Sequence, residues 1–477
     1  MTGQINMGQE VSKGVFSVND FKAFTDNLHV ETNMLGSMLA RGEFSDDSKV
    51  TGFELEGWLV DHNYYPAPIN EAFLQQMADP LVVSELSRFN IEVNGTPQTL
   101  KSNAFNSMQQ ELEHVLSRCY KAANELGAST LLIGTLPTLR NSDLTMANMS
   151  PMKRYKALND QVLKVRNHVP IKLDINGREH LQLMHDDVML EAATTSFQVH
   201  LQVPIDTFVR HFNASLILSA PIIAATANSP YLFGTDLWDE TRIPLFEQAI
   251  TTSAIEGDPR VSFGEGYMTN PLDSFAFNES SQPVLLPFLY GAASEKLQHL
   301  RLHNGTIWRW NRPLIGFNEK GQVHMRIEHR IMPSGPSIPD MIANAALYLG
   351  ACTSLAAKGV APESQLDFAK ARSNFYEAAR YGLDAEIAWL DGRRHNVRDL
   401  LLLEIIPMVE AGLDALGIVG DERDYYTGIL RSRVESRQTG AQWQRAFIKK
   451  YGSDFFNMTA NYLHHQQSGN PVHEWEI

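Results

Sequence analysis

Cysteine is nearly missing from this sequence. Among 477 residues only Cys119 and Cys352 occur, far apart and with no Cys-x-x-Cys or Cys/His grouping. That excludes a disulfide framework and a thiolate metal centre, and it suits a reducing compartment. Basic residues are outnumbered, 40 against 55 acidic, for a net charge of −15. A nucleic-acid surface needs a basic stripe to neutralise phosphates, so none is expected. The balance still leaves room for a small anion held by a local arginine cluster. No apolar h-region opens the chain, so no signal peptide is visible. The longest apolar run, around Ala214–Ala227, is broken by Ser219 and Pro221 and reads as too short to span a bilayer. A cytoplasmic protein without a membrane segment is expected. There is no GxxxxGK[ST], no GxGxxG after a strand and no GxSxG, which removes the P-loop, the dinucleotide fold and the serine hydrolases.

What is present is an ordinary folding composition, 43% hydrophobic and 20% charged, long enough for two or three domains or one large domain with an appendage. Residues 1–50 read as a helical lead-in, with Ser17 or Asn19 as cap for a helix carrying Phe21, Phe24 and Leu28. The clearest helix spans 103–126, with Met108, Leu112, Val115, Leu116 and Cys119 on one stripe and Gly127 as stop. Lys153–Val165 is amphipathic, with Arg154 and Tyr155 near its start. Residues 252–287, rich in Gly, Pro, Asn and Ser, read as long irregular loops. From Pro339 onward the pattern is mostly helical.

Between these helices one pattern recurs four times. In Gly52–Val60, Phe53, Leu55 and Leu59 alternate with Glu54, Glu56 and Trp58, the period of a half-buried strand. In Arg88–Asn94 the apolar Phe89, Ile91 and Val93 alternate with Asn90, Glu92 and Asn94. In Ser196–Pro204 the polar face is Gln198, His200 and Gln202. In Val323–Ile331 it is Arg326, Glu328 and Arg330. Each alone has a plain explanation: solvated glutamates, a hydrogen-bonded histidine, a cross-strand ladder of charges. Laid side by side, the four strands bury one oily face and turn up a floor of carboxylates, one imidazole and two guanidiniums. Oxygen ligands with a single histidine suit Mg²⁺ or Mn²⁺. Arginines beside them suit a polyanion such as a nucleoside triphosphate.

Arg326-Ile-Glu-His-Arg330 resembles the R-x-E-x-R strand of the glutamine synthetase superfamily, and Glu54-Leu-Glu56 resembles its first metal-binding strand. Glu92-Val-Asn-Gly-Thr-Pro97, Ile133-Gly-Thr135, Phe197-Gln-Val-His200, Ala227-Asn-Ser-Pro230 with Arg242, and Ala378-Ala-Arg-Tyr-Gly-Leu383 occur in the order of the glutamate–cysteine ligase type 2 family. The resemblance covers roughly residues 50–440.

It implies an α+β fold, a curved antiparallel sheet funnel backed by helices. Residues 51–395 would form the catalytic domain and 396–477 a helical extension packed on it. It implies ATP-dependent formation of a γ-glutamyl amide from glutamate and cysteine through an acyl phosphate. Glu54, Glu56, Glu92, Glu328 and His200 would hold Mg²⁺ or Mn²⁺. Arg326 and Arg330 would be catalytic. Gln198, His200 and Arg330 would face the nucleotide, and Asn94, Asn228, Ser229 and Arg242 the substrate. The further acid that some relatives contribute between Glu92 and His200 has no clear equivalent here: Glu111 and Glu113 lie on a helix, and Glu191 is the remaining candidate. The partners implied are small molecules, neither nucleic acid nor membrane, with a homo-oligomer allowed. Three other readings share the sheet: a ligase with another acceptor amine, a guanidino phosphotransferase, and a non-catalytic sensor of a nucleotide or metabolite.

Overall fold

The computed structural model describes residues 14–45, 49–252 and 259–477. Residues 1–13 and 46–48 of the lead-in, and 253–258 of the loop-rich stretch, lie outside it. The described residues build an eight-stranded antiparallel sheet, curled into a half-barrel and backed by helices. Its strands are β1 (Val50–Val60), β2 (Val82–Ser84), β3 (Asn90–Asn94), β4 (Gln98–Thr99), β5 (Ser129–Leu131), β6 (Phe197–Gln202), β7 (Asn311–Phe317) and β8 (Val323–His329). The order is β7-β8-β6-β1-β3-β2, with β4 and β5 also paired to β1. The four patterned strands are therefore consecutive neighbours.

The helices that matter for the site are α1 (Val18–Arg41), α2 (Ala104–Glu125), α3 (Lys153–Val165), α4 (Ile205–Thr226), α5 (Gln298–Gly305), α6 (Ile338–Ala356) and α7 (Ile406–Ala415). Phe53, Leu55, Ile91, Val93, Phe197, Val199, Leu201, Met325 and Ile327 are all buried, as period-two alternation requires of the face turned to α4 and α6. A fully buried Leu or Phe contributes about 1.5–3 kcal/mol, and this face holds the sheet to its helices. Behind it α6 and α7 approach closely. A Cβ on Gly412 would lie 1.9 Å from the Gly350 carbonyl oxygen, so only glycine fits there.

Two local readings change, and one strand has no sequence reading. Residues 206–227 read as a helix, and the structure has it as α4, ending at Thr226 with Pro221 inside it. Helix α4 is long and apolar enough to cross a membrane, but it is packed inside the molecule, 89% buried over its most apolar window. The 252–287 stretch contains a helix, Asp273–Ser281. Strand β7 carries Pro313, which suppresses a strand reading; it is tolerated because β7 is an edge strand, where a missing N–H breaks no ladder.

Candidate active site

Register decides which polar side chains meet. Across β1, Glu54 lies opposite Gln198 on one side and Asn94 on the other, and Glu56 lies opposite Glu92. Glu328 lies opposite His200 on β6 and opposite Arg312 on β7. Glu54 and Glu56 share a face but feed different groups. Ligand atoms of Glu54, His200 and Glu328 lie within 4.8 Å of one another, and so do those of Glu56, Glu85 and Glu92.

The first group is the drier. Glu328 has no exposed side-chain surface, and His200 Nε2 sits 3.4 Å from Glu54 Oε1 and 3.7 Å from Glu328 Oε1. Nε2 is buried and makes no hydrogen bond to any described group, while Nδ1 accepts from Arg326 Nε at 3.2 Å. Burial, then the arginines Arg326, Arg312 and Arg330, pushes the imidazole down to about 3, Glu328 opposing, so it is neutral. Burial also pushes Glu54 up to about 7, with Glu328 adding to it. For Glu328 itself burial acts upward, but Arg312 and Arg330 win and hold it far below the usual carboxylate range. Arg312 is bidentate, Nε to Oε2 at 2.6 Å and Nη2 to Oε1 at 3.0 Å, and Arg330 Nη1 adds a bond at 3.1 Å. Arg330 also donates to Gln198 Oε1.

The second group forms the acidic end. Glu56 accepts from Ser196 N at 2.7 Å and Gln198 Nε2 at 2.9 Å, and Glu92 accepts from Asn94 Nδ2 at 2.8 Å. Burial, with Glu85 adding, pushes Glu56 up to about 7. Burial raises Glu92 well above the ordinary value, with Glu54, Glu85 and Glu56 adding, and raises Glu191 likewise, with Glu85 and Glu56 adding. Arg154 of α3 feels the charge of Glu85 and Glu92, and its Nη2 donates to Tyr155 Oη at 2.6 Å.

This donor set, hard carboxylate oxygens plus one neutral imidazole with an unused nitrogen, fits Mg²⁺ or Mn²⁺. Taking an ionised carboxylate out of water costs several kcal/mol, more than a buried Leu returns. Stability alone gives no reason to gather so many.

Pattern reading missed Glu85 and Arg312. Glu85 follows the three-residue β2 and shows no period. Arg312 sits in the strand that Pro313 disguised, although a polar residue two before Leu314 is the alternation a strand search accepts. Asn228, Ser229 and Arg242, expected on the substrate side, are all buried. Asn228 Nδ2 donates to Ser334 O and Tyr462 Oη, both at 2.8 Å, and Oδ1 accepts from Gln444 Nε2 at 3.0 Å. Ser229 Oγ accepts from Arg242 N at 3.2 Å. Arg242 is paired with Glu240 at 3.1 Å and donates to the Arg330 and Ile331 carbonyls. Arg242 thereby holds the two residues that follow β8. Asn94 remains half-buried on the floor beside Glu54.

Residues 50–470 match the sequence model of glutamate–cysteine ligase family 2. Among solved structures, the chain is similar to a glutamate–cysteine ligase from Francisella tularensis in complex with AMP. That likeness has 12% identity and a TM-score of 0.54, over 89% of this chain and 90% of that one. It is also similar to a bifunctional glutathione synthetase from Pasteurella multocida, with 11% identity and a TM-score of 0.52, over 92% of this chain and 55% of that one. No curated protein was found similar to it. At these identities the structural likeness concerns the fold.

Proposed function

The chain belongs to glutamate–cysteine ligase family 2 and is a carboxylate–amine ligase; we propose that it joins the γ-carboxylate of glutamate to cysteine or another small amine at the expense of ATP. The observation that carries this reading is the contiguity of the two acidic groups with Arg312, Arg326 and Arg330 on neighbouring strands.

In this reading a γ-carboxylate oxygen attacks the terminal phosphorus of ATP, ADP leaves, and the acyl phosphate forms. The amine nitrogen then bonds to the acyl carbon and phosphate leaves. Mg²⁺ or Mn²⁺, when bound, supplies charge that offsets repulsion between carboxylate and phosphate oxygens. Glu54, His200 and Glu328 would hold one ion, and Glu56, Glu85 and Glu92 another. Arg326 and Arg330 bring guanidinium forks to the transferring phosphoryl group, where charge develops. Gln198 links Arg330 to Glu56 and so fixes the distance between the two groups. The amine must shed a proton as it attacks. Glu191, outside both cation groups and with its proton affinity raised by burial, is the carboxylate suited to take it. Residues 396–477 serve as a brace: Gln466 and Tyr462 bond to Leu132 beside the sheet.

Phosphate release from ATP and Mg²⁺ tests the reading, first with glutamate alone and then with glutamate and each of a panel of amines. Release that needs glutamate and accelerates with one amine supports it and names the acceptor. No release across the panel, with ATP bound, overturns it.

A further inference from the structure

The lead-in helix α1 precedes the region that matches the family, yet it is wired to the floor. Helix α5 has no cap of its own: its N-cap, Leu297, is in the left-handed region and offers no side-chain bond. Glu31 of α1 supplies the cap from outside. Its carboxylate accepts from Leu300 N at 2.9 Å, Ser294 N at 3.2 Å and His299 Nδ1 at 2.8 Å, and neither Glu31 nor His299 has exposed side-chain surface. A carboxylate at this position satisfies N–H groups that the helix leaves open and opposes the helix dipole.

The other end of α5 holds the edge of the site. Asn304 Nδ2 donates to Pro313 O at 2.9 Å, and Arg312 Nη1 donates to the Gly305 and Ile307 carbonyls at 3.3 and 3.5 Å. The remaining nitrogens of Arg312 are the fork on Glu328. An unbroken path of short contacts and one two-turn helix thus joins Glu31 to Glu328. Arg301, on the same helix, lies with its guanidinium 5.7 Å from the Phe317 ring, at the end of β7.

We propose that Glu31 is a positioning residue for the reaction: by capping α5 it sets where Arg312 holds Glu328, and so how tightly the Glu54–His200–Glu328 group takes a divalent cation and the nucleotide that arrives with it. This rests on the ligase reading for its substrates, but not for its cation.

The test uses the full chain and Mn²⁺, whose free ion is read directly by electron paramagnetic resonance. Glu31→Gln is expected to weaken Mn²⁺ binding about threefold to tenfold, below the 10–100-fold typical of a group that touches a metal ligand directly. The KM for Mg·ATP should rise by a similar factor while the KM for glutamate stays put. Asn27→Ala, which removes the α1 side chain bonded to Gly291 O and Ala293 N, should act in the same direction and carries the test if Glu31→Gln does not fold. His29→Ala, which cuts the exposed contacts to Glu279 and Asn33, should change neither constant. In an Arg312→Lys background the Glu31→Gln effect should largely vanish. Wild-type Mn²⁺ affinity in both Glu31→Gln and Asn27→Ala, an undiminished effect beside Arg312→Lys, or an equal rise in the glutamate KM overturns the proposal. Absence of glutamate-dependent phosphate release in the wild type strikes the ligase reading instead, and the Mn²⁺ titration still decides this one.

Discussion

Arg312 and Glu328 face each other across the register of β7 and β8, joined by parallel hydrogen bonds of 2.6 and 3.0 Å with almost no exposed surface on either side chain. A fork of that kind fixes both carboxylate oxygens and keeps Glu328 ionised. Arg312→Lys keeps the charge and loses the fork. The expected result is a fall in kcat/KM of about tenfold to a hundredfold, with the circular dichroism spectrum retained. Kinetics within twofold of wild type would show that charge alone is needed there.

Glu328→Gln removes a carboxylate bonded to both Arg312 and Arg330. Turnover should collapse, because the cation loses a charged ligand. Stability should fall too, by about 3–5 kcal/mol, since two buried guanidiniums lose their counter-charge. A thermal melt and a phosphate-release assay on the same sample check both halves. Normal turnover would sink the metal assignment.

Arg330 contacts Gln198 and Glu328 through Nη1 alone, and a lysine making those contacts has no second nitrogen left for a phosphate oxygen. Arg330→Lys is expected to lose most of kcat while binding Mn²⁺ nearly as the wild type does. If turnover survives, Arg330 is a strut for Gln198 and not a phosphoryl contact.

Glu54 and Glu56 are both pushed up to about 7, chiefly by burial. A raised carboxyl pKa means the folded state holds its proton more tightly than the unfolded chain. The associated stability is present in full below the ordinary value near 4.5 and is lost as pH rises through about 7. A divalent cation takes the place of those protons. The rise in Tm on adding Mg²⁺ should therefore grow from pH 5.5 to 7.5 and then level. A rise that does not change over that window contradicts the assignment of these glutamates to a cation.

Asn228→Ala separates support from substrate contact. Its amide bonds to Ser334 O, Tyr462 Oη and Gln444, so truncation leaves buried groups unsatisfied at about 1–3 kcal/mol each. Tm should drop by several degrees with the glutamate KM unchanged in the folded fraction. A raised KM with normal Tm would restore the substrate role.

Much of the floor was legible because strand alternation is local. Glu54, Glu56, Glu92, Gln198, His200, Arg326, Glu328 and Arg330 each stand two residues from a like neighbour on a strand whose other face is apolar, and a period of two leaves little choice of side. The apolar stripe of α2 and the cap at Ser17 were local in the same way. Glu85 and Arg312 were not, one lying just past a three-residue strand and the other beside a proline that only an edge position excuses.

The sequence by itself determined that several strands have one oily and one charged face, and which chemistry the charged faces offer, because side-chain direction along a strand follows from backbone geometry alone. Only the tertiary structure decided that Glu54 and Glu56 divide between two groups, that Arg312 completes one, that Asn228 and Arg242 are buried struts, and that Glu31 reaches α5. Those facts depend on cross-strand register and helix docking between residues hundreds of positions apart, which local periodicity does not encode.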